Sequence, residues 1–388
     1  MNQIEPNPFV PKAGIEPRKF VGRDEQIDIF NSIVNSAINN RRYEHCLILG
    51  EWGIGKTALL REFKKIAQSR KLLASFVTIR EFQERDTFFS ATQHLATQIP
   101  KSLPVKPGTL KNLKKYLDGI GFTLPVIGGG VKLPDKKEVS GDPQVILLDI
   151  LQRLWKEVKN NTEVLLILLD DVQNYKPISG YLTILKNVLS DESIVKETGF
   201  LFVLFSTTKD WSEFLTKHHP IGRYFTPIMK LGHLSHEQTM QFLDETLAST
   251  GVQFDEDIKE KVYEYSGGHP FELQVLCSYL YDNQIGGKVT GDVWDTSLGM
   301  TITQMSDVLL DSLYESASLT ERAILKGFAE DSGDFRSKEI DIDTKLLSSE
   351  EVSMYLNRLA EKGLLTRKSR GLYAFPDRLF REYCARYL

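Results

Sequence analysis

Along the 388 residues, unbroken apolar runs alternate with stretches whose apolar residues recur every three to four positions. The first kind predicts strands buried on both faces, the second amphipathic helices. Strands are expected at 46–49 (CLIL), 72–79 (LLASFVTI), 164–169 (VLLILL) and 200–205 (FLFVLF), with a last one in the stretch IGRYFTPIMKL. Helices are expected on the stripe Ile27, Ile29, Phe30, Ile33 and Val34, after Ala58, and over 87–99, 145–159 and 181–189. This alternation predicts an α/β fold, a parallel sheet with helices on both faces. From Leu234 the strands stop, and 235–248, 255–266 and 270–282 read as three amphipathic helices. Ser235 with Gln238 makes a capping box on the first, and Gly267-Gly268-His269-Pro270 stops one helix and starts the next.

Further on, 289 to about 316 is helical. Then 319–330, a small strand within 335–340, 350–363 and the strands LLTRKS and GLYAF give a winged-helix order. Two stretches break the pattern. Residues 1–17, with prolines at 6, 8, 11 and 17, read as a flexible tail, mobile or draped on the surface. Prolines, lysines and GFTLPVIGGGVKLP make about 100–143 an inserted, hairpin-like segment. Its Gly128-Gly129-Gly130 has neither the following helix nor the Lys-Ser/Thr pair of a phosphate loop. The expected organisation is therefore a tail (1–17), a core (18–232) carrying the insertion, a helical lid (233–290), and a linker helix with a winged-helix domain (291–388).

Charge narrows the partners. With 48 basic and 52 acidic residues the net charge is −4, so the whole molecule exerts no pull on nucleic acid or membrane. A nucleic-acid contact must be local, and the winged helix offers Arg358, Lys362, Arg367, Lys368, Arg370 and Arg378, diluted by Glu350, Glu351, Glu361 and Asp377. There 351–362 takes the recognition-helix position and 369–371 the wing tip. Duplex DNA, a protein partner and self-association all stay open for this domain. Cys46, Cys277 and Cys384 form no disulfide framework or zinc spacing, which suits a reducing compartment. The N-terminus lacks the apolar core of a signal peptide, and no apolar run reaches membrane-spanning length. The expectation is a cytoplasmic protein without membrane contact.

Candidate chemistry sits at two strand ends. Gly50-Glu51-Trp52-Gly53-Ile54-Gly55-Lys56-Thr57 fits G-x-x-x-x-G-K-[ST], placed between a strand and a helix that Ala58 continues. Its glycines let backbone N–H groups turn around phosphates, and the helix start adds a positive dipole end. Lys56 is expected to reach the β and γ phosphates and the Thr57 hydroxyl to join Mg²⁺. The strand VLLILL ends in Asp170 and Asp171. Asp170 is the expected Mg²⁺ partner, and Asp171 the base that polarises the attacking water. Thr208 or Lys209, just past FLFVLF, could face the γ-phosphate. Arg223 is the one arginine between Arg153 and Arg322, a candidate phosphate contact in cis or across subunits and equally a solvated side chain. Phe20, Val21 and Gly22 fit a purine contact and equally a plain lead-in to a helix. His233 and His236 lack a further ligand at matching spacing and read as a loop and cap.

In the order FVGR, GEWGIGKT, LLILLDD, LFSTTK, GGHP and a terminal winged helix, the chain resembles AAA+/STAND P-loop ATPases over about residues 18–388. It is most similar to the prokaryotic, archaeal-type branch that also resembles origin-recognition/Cdc6 ATPases. The resemblance implies ATP and ADP as ligands, with Mg²⁺. It puts Val21 and Arg23 of FVGR near the adenine, and Pro270 in the G-x-P signature of the lid. Phe271-Glu272-Leu273 stands where origin-type relatives carry a sensor arginine, Lys209 where STAND relatives carry arginine, and Asp171 where AAA+ enzymes commonly carry glutamate. These departures imply a slowly hydrolysing ATP switch. The alternative is a DNA-binding ATPase of origin-recognition or transposition-helper type.

Overall fold

The structure is a computed structural model describing residues 5–12, 15–122, 141–218, 220–330, 335–336 and 348–386. Two units make up the chain, Arg23–Gly232 and a second formed by Met1–Gly22 with His233–Leu388, so the chain crosses between them at 22/23 and at 232/233.

In the first unit the apolar runs become one parallel sheet. Its strands are β1 (Cys46–Leu49), β2 (Leu73–Thr78), β3 (Leu165–Asp170), β4 (Phe200–Ser206) and β5 (Ile228–Lys230), in the order β2-β3-β4-β1-β5. Every residue of β1, β3 and β4 is buried, as uninterrupted apolar runs require when helices cover both faces. The helices are α1 (Asp24–Asn40), α2 (Lys56–Ser69), α3 (Phe88–Ser102), α4 (Lys111–Gly119), α5 (Pro143–Val158), α6 (Tyr181–Leu189), α7 (Glu192–Glu197), α8 (Thr208–Lys217) and α9 (Ile221–Tyr224). On one face Phe30 of α1 stacks on Phe63 of α2 with centroids 3.9 Å apart, and Phe63 meets Phe205 of β4. On the other, Leu165, Ile167 and Leu169 join one apolar cluster with Leu95 of α3, Leu151 of α5 and Leu185 of α6.

In the described part of the insertion a helix stands where a hairpin-like segment was expected, and residues 123–140 lie outside the described ones. After Gly108, residues 111–119 form α4, because Leu113 and Leu117, four residues apart, fall on one helical face and are fully buried with Phe122 in the α3–α5 cluster. Proline and lysine content masked that spacing. The triple glycine at 128–130 lies outside the described residues.

The second unit is built from α10 (His236–Leu247), α11 (Glu256–Ser266), α12 (Pro270–Asp282), α13 (Trp294–Met305), α14 (Asp311–Glu315), α15 (Leu319–Glu330), α16 (Ser349–Glu361) and α17 (Arg378–Arg386). β6 (Gln253–Phe254) and β7 (Lys288–Val289) pair in parallel. β8 (Phe335–Arg336), β9 (Thr366–Ser369) and β10 (Leu372–Ala374) form an antiparallel sheet in the order β8-β10-β9. Helix α15, strand β8, helix α16 and the β9–β10 hairpin keep the winged-helix order, and residues 337–340 of the expected first strand lie outside the described ones.

Residues 5–12 are tied to this second unit. Phe9 is buried against Phe242, Phe254 and Tyr281. The Asn7 amide donates to Ser278 and Asp282, and the Val10 N–H donates to Gln274 Oε1. Among the described residues, no helix is long and apolar enough to cross a membrane.

Candidate functional site

The carboxyl ends of β1, β3 and β4 line up in the sheet, with Leu49 opposite Ser206 and Leu169 opposite Leu204. Ligands of open parallel sheets bind at these ends. From β1 the chain turns at once into the loop 50–55. The Gly50 N–H donates to Ser206 O (3.2 Å), and a Cβ on Gly50 would stand 2.7 Å from Ile54 Cγ2. Gly53 and Gly55 have φ of 74° and 96°, left-handed conformations that lift the loop amides away from a helical path. Lys56 and Thr57 then open α2, with Ala58 in its first turn.

Here the structure brings the predicted residues together. Thr57 Oγ1 donates to Asp170 Oδ2 at 2.8 Å, and the Asp171 N–H donates to Asp170 Oδ1 at 3.1 Å. Lys56 Nζ donates to Gly50 O (2.8 Å) and Glu51 O (2.7 Å). Burial lowers the Lys56 ammonium pKa, opposed by Asp170, then Asp171 and Glu51. Burial, then the Asp171 charge, pushes the Asp170 carboxyl up to about 6, against the Thr57 hydroxyl and Lys56. Raised above its unfolded value of 3.8, this carboxyl contributes stability that is complete below that pH and lost as pH rises through about 6. A buried carboxylate whose charge costs stability, beside a hydroxyl, is a pair of hard oxygen donors suited to Mg²⁺. No cluster of three or more His, Cys, Asp or Glu able to hold a metal occurs among the described residues.

Asp171 sits at φ 57°, ψ 44°, the left-handed region, which asparagine and aspartate tolerate best among non-glycine residues. This bend aims the next residues into the 3₁₀ turn Val172–Ile178 rather than extending β3. The Asn174 side chain pins the turn by donating to Ile79 O (2.8 Å), just past β2.

Arg23 also belongs to this unit, and its side chain is committed to the backbone. Nη2 donates to Ile54 O (3.0 Å) and to Gly232 O (2.8 Å), and burial lowers its pKa. Val21 and Pro270 lie in the second unit, where Val21 packs against the helical core and Pro270 opens α12 under a His269 cap.

Two predicted residues stand elsewhere. Arg223 is exposed on α9, and its neighbour Tyr224 lies beside residues 42–45, which lead into β1. That is the amino end of the sheet, so within one chain Arg223 is not a phosphate contact. Thr208 and Lys209 are exposed in the first turn of α8, which Thr207 caps by accepting from the Asp210 N–H (3.1 Å). The buried polar group at the end of β4 is Ser206, whose hydroxyl has no hydrogen-bond partner among the described residues. A single hydroxyl closing the apolar run FLFVLFS was the available signal.

Comparison with known proteins fits this geometry. Residues 19–192 match the AAA ATPase domain family. The Walker-type ATPase PABY2304 of Pyrococcus abyssi is similar in structure, with TM-score 0.60 and 14% identity over 95% of this chain and 97% of that one. The Aeropyrum pernix ORC2 protein in its ADPNP-ADP complexes is similar with TM-score 0.63 and 14% identity, over 97% and 95% of the two chains. At these identities the likeness is one of fold. No curated protein sequence matches the chain.

Proposed function

We propose that this chain, whose residues 19–192 match the AAA ATPase domain family, is a slowly hydrolysing, Mg²⁺-dependent switch of the STAND kind. Amides of the loop 50–55 and the start of α2 take the phosphates, with Lys56 as the point charge on the β and γ groups. Thr57 and Asp170 would hold Mg²⁺, which supplies charge neutralisation between the β and γ oxygens. Asp171 orients the attacking water and accepts its proton.

The observation that carries the switch is Arg23. One guanidinium binds the phosphate loop at Ile54 O and the chain at Gly232 O, and Arg23 and Gly232 are the two residues at which the chain leaves this unit. A change in loop conformation on binding or losing the γ-phosphate therefore bears directly on both crossings. Nucleotide would shift the conformers only by its unequal affinity for them, and this linkage is the route by which the shift would reach both crossings.

Asp171→Asn tests the hydrolytic part. ATP affinity should stay near the parent value while turnover falls by about a hundredfold, the lower range for removing a general base. Parent-like turnover in a single-turnover assay would remove Asp171 from the base role.

Duplex DNA is the second reading, supported by the exposed Arg367, Lys368 and Arg370 on the β9–β10 hairpin. Two other basic residues of the domain are engaged. Lys362 Nζ bonds Glu321 Oε2 (2.7 Å) and Ser316 O (2.9 Å), and Arg378 pairs with Glu264 over the Tyr265 ring. Replacing Arg367, Lys368 and Arg370 together with Ala should, on this reading, weaken binding to all duplex sequences. It should also flatten the salt dependence by about 0.9 logarithmic units per lost phosphate contact. Wild-type protein without affinity for duplex DNA at low salt, with and without ATP, would end the DNA reading.

A further inference from the structure

Past the acidic strand end, the 3₁₀ turn carries a glutamine that bonds to the carboxylate proposed above as the base. Gln173 Nε2 donates to Asp171 Oδ1 at 2.8 Å, and Gln173 Oε1 is buried without a partner among the described residues. The assignment of the two amide atoms follows from chemistry, because a carboxylate only accepts and the NH₂ must face it. The carbonyl end is thereby turned to where none of the described residues satisfies it. A buried, unpaired acceptor is costly, and such groups persist where another requirement fixes them.

The rest of the turn is rigid enough to make that orientation permanent. Val172 and Tyr175, on either side, are fully buried, Tyr175 stacks on Phe82, and Asn174 is held to Ile79 and by its own N–H to Asp171 O (3.0 Å). Asp171 needs such support. In the left-handed region at a strand end, its carboxylate accepts a side-chain hydrogen bond from Gln173 alone among the described residues. An unheld carboxylate samples rotamers, and a base displaced by about 1 Å from its water loses most of its effect.

We infer that Gln173 is a positioning residue for hydrolysis, fixing Oδ1 of Asp171 so that the second carboxylate oxygen stays aimed at the attacking water. The inference rests on the base role of Asp171 proposed above. It explains why the protein keeps an amide where an apolar side chain would pack without an unpaired acceptor.

Gln173→Met tests it in the full chain, since methionine keeps length and volume and removes both the donor and the orphaned carbonyl. Turnover should fall about tenfold, ATP affinity by calorimetry should stay unchanged, and the melting temperature should hold or rise. A merely structural glutamine would give parallel losses in melting temperature, affinity and turnover, and that result overturns the proposal, as does unchanged turnover. The double variant with Asp171→Asn separates the two claims. If Gln173 acts through Asp171, Gln173→Met should change little further in the Asp171→Asn background. Full additivity there sinks the Gln173 role alone, whereas parent-like turnover of Asp171→Asn by itself sinks the base assignment and this inference with it.

Discussion

Lys56→Ala is expected to weaken ATP binding by two to three orders of magnitude while leaving the fold intact. The ammonium hangs over the loop from the first turn of α2 and bonds to Gly50 O and Glu51 O, so it is held where the loop amides converge. Removing one partner of a desolvated charge pair costs about 3–4 kcal/mol, and each 1.4 kcal/mol is roughly tenfold in Kd. The fold should tolerate the change, because alanine is the better helix former and the neighbouring Leu59, Leu60 and Phe63 carry the packing of α2. Calorimetry should show the loss of affinity, and the thermal stabilisation that ATP gives the parent should vanish with it. Lys56→Arg should rescue only part, since a planar guanidinium is not a substitute for a compact point charge in a tight loop. Undiminished affinity in Lys56→Ala would move the nucleotide away from β1 and α2 altogether.

What could be read from the chain beforehand follows the range of the forces involved. The five-stranded parallel sheet was legible because full burial demands unbroken apolar runs such as VLLILL and FLFVLF. The meeting of Thr57 with Asp170 was legible because GEWGIGKT and LLILLDD set their residue types at fixed places beside two strand ends. Helix α4 was hidden by the prolines around it, although Leu113 and Leu117 carried its periodicity. The anchoring of Phe9 depends on Phe242, Phe254 and Tyr281, more than two hundred residues away, and no local pattern announces it. Arg223 attracted attention for its isolation in sequence, but position relative to the two ends of a sheet is a property of the assembled strands. Gln173 and Ser206 stand out only once the chain is folded, as carriers of buried polar atoms without partners among the described residues. Glu272 shows the same limit. That Phe271-Glu272-Leu273 stands where the resemblance implies an arginine could be read directly, but the burial of Glu272 could not. Burial, then Asp377, raises its carboxyl well above the usual range.

Gly268→Ala should be the most disruptive single change in the second unit, and its neighbour supplies the control. Both glycines have positive φ, 54° at Gly267 and 75° at Gly268, so alanine at either bears left-handed strain of about 1–2 kcal/mol. Their surroundings differ. A Cβ at Gly267 would meet Asp377 Cβ at 3.6 Å, ordinary contact, and the residue simply ends α11 with its N–H on Tyr263 O. At Gly268 a Cβ would lie 2.1 Å from Leu234 O, a backbone atom that cannot swing aside. Leu234 is fixed there because its own N–H donates to Gly268 O at 2.9 Å, one residue before the Ser235 cap of α10. Relieving the clash means parting the two strands of chain and losing that bond, which adds roughly 2–3 kcal/mol of overpacking and lost hydrogen bonding. The expected total of about 4 kcal/mol approaches the whole stability of a small unit. Hydrogen exchange resolves the effect where a global melting curve of two units would blur it. Amides of α10 and α12 should lose most of their protection in Gly268→Ala and little in Gly267→Ala, while β3 and β4 exchange as in the parent. Equal protection in the two variants would mean that the second glycine of GGHP is not held by the Leu234 backbone, and that its presence answers to something other than packing.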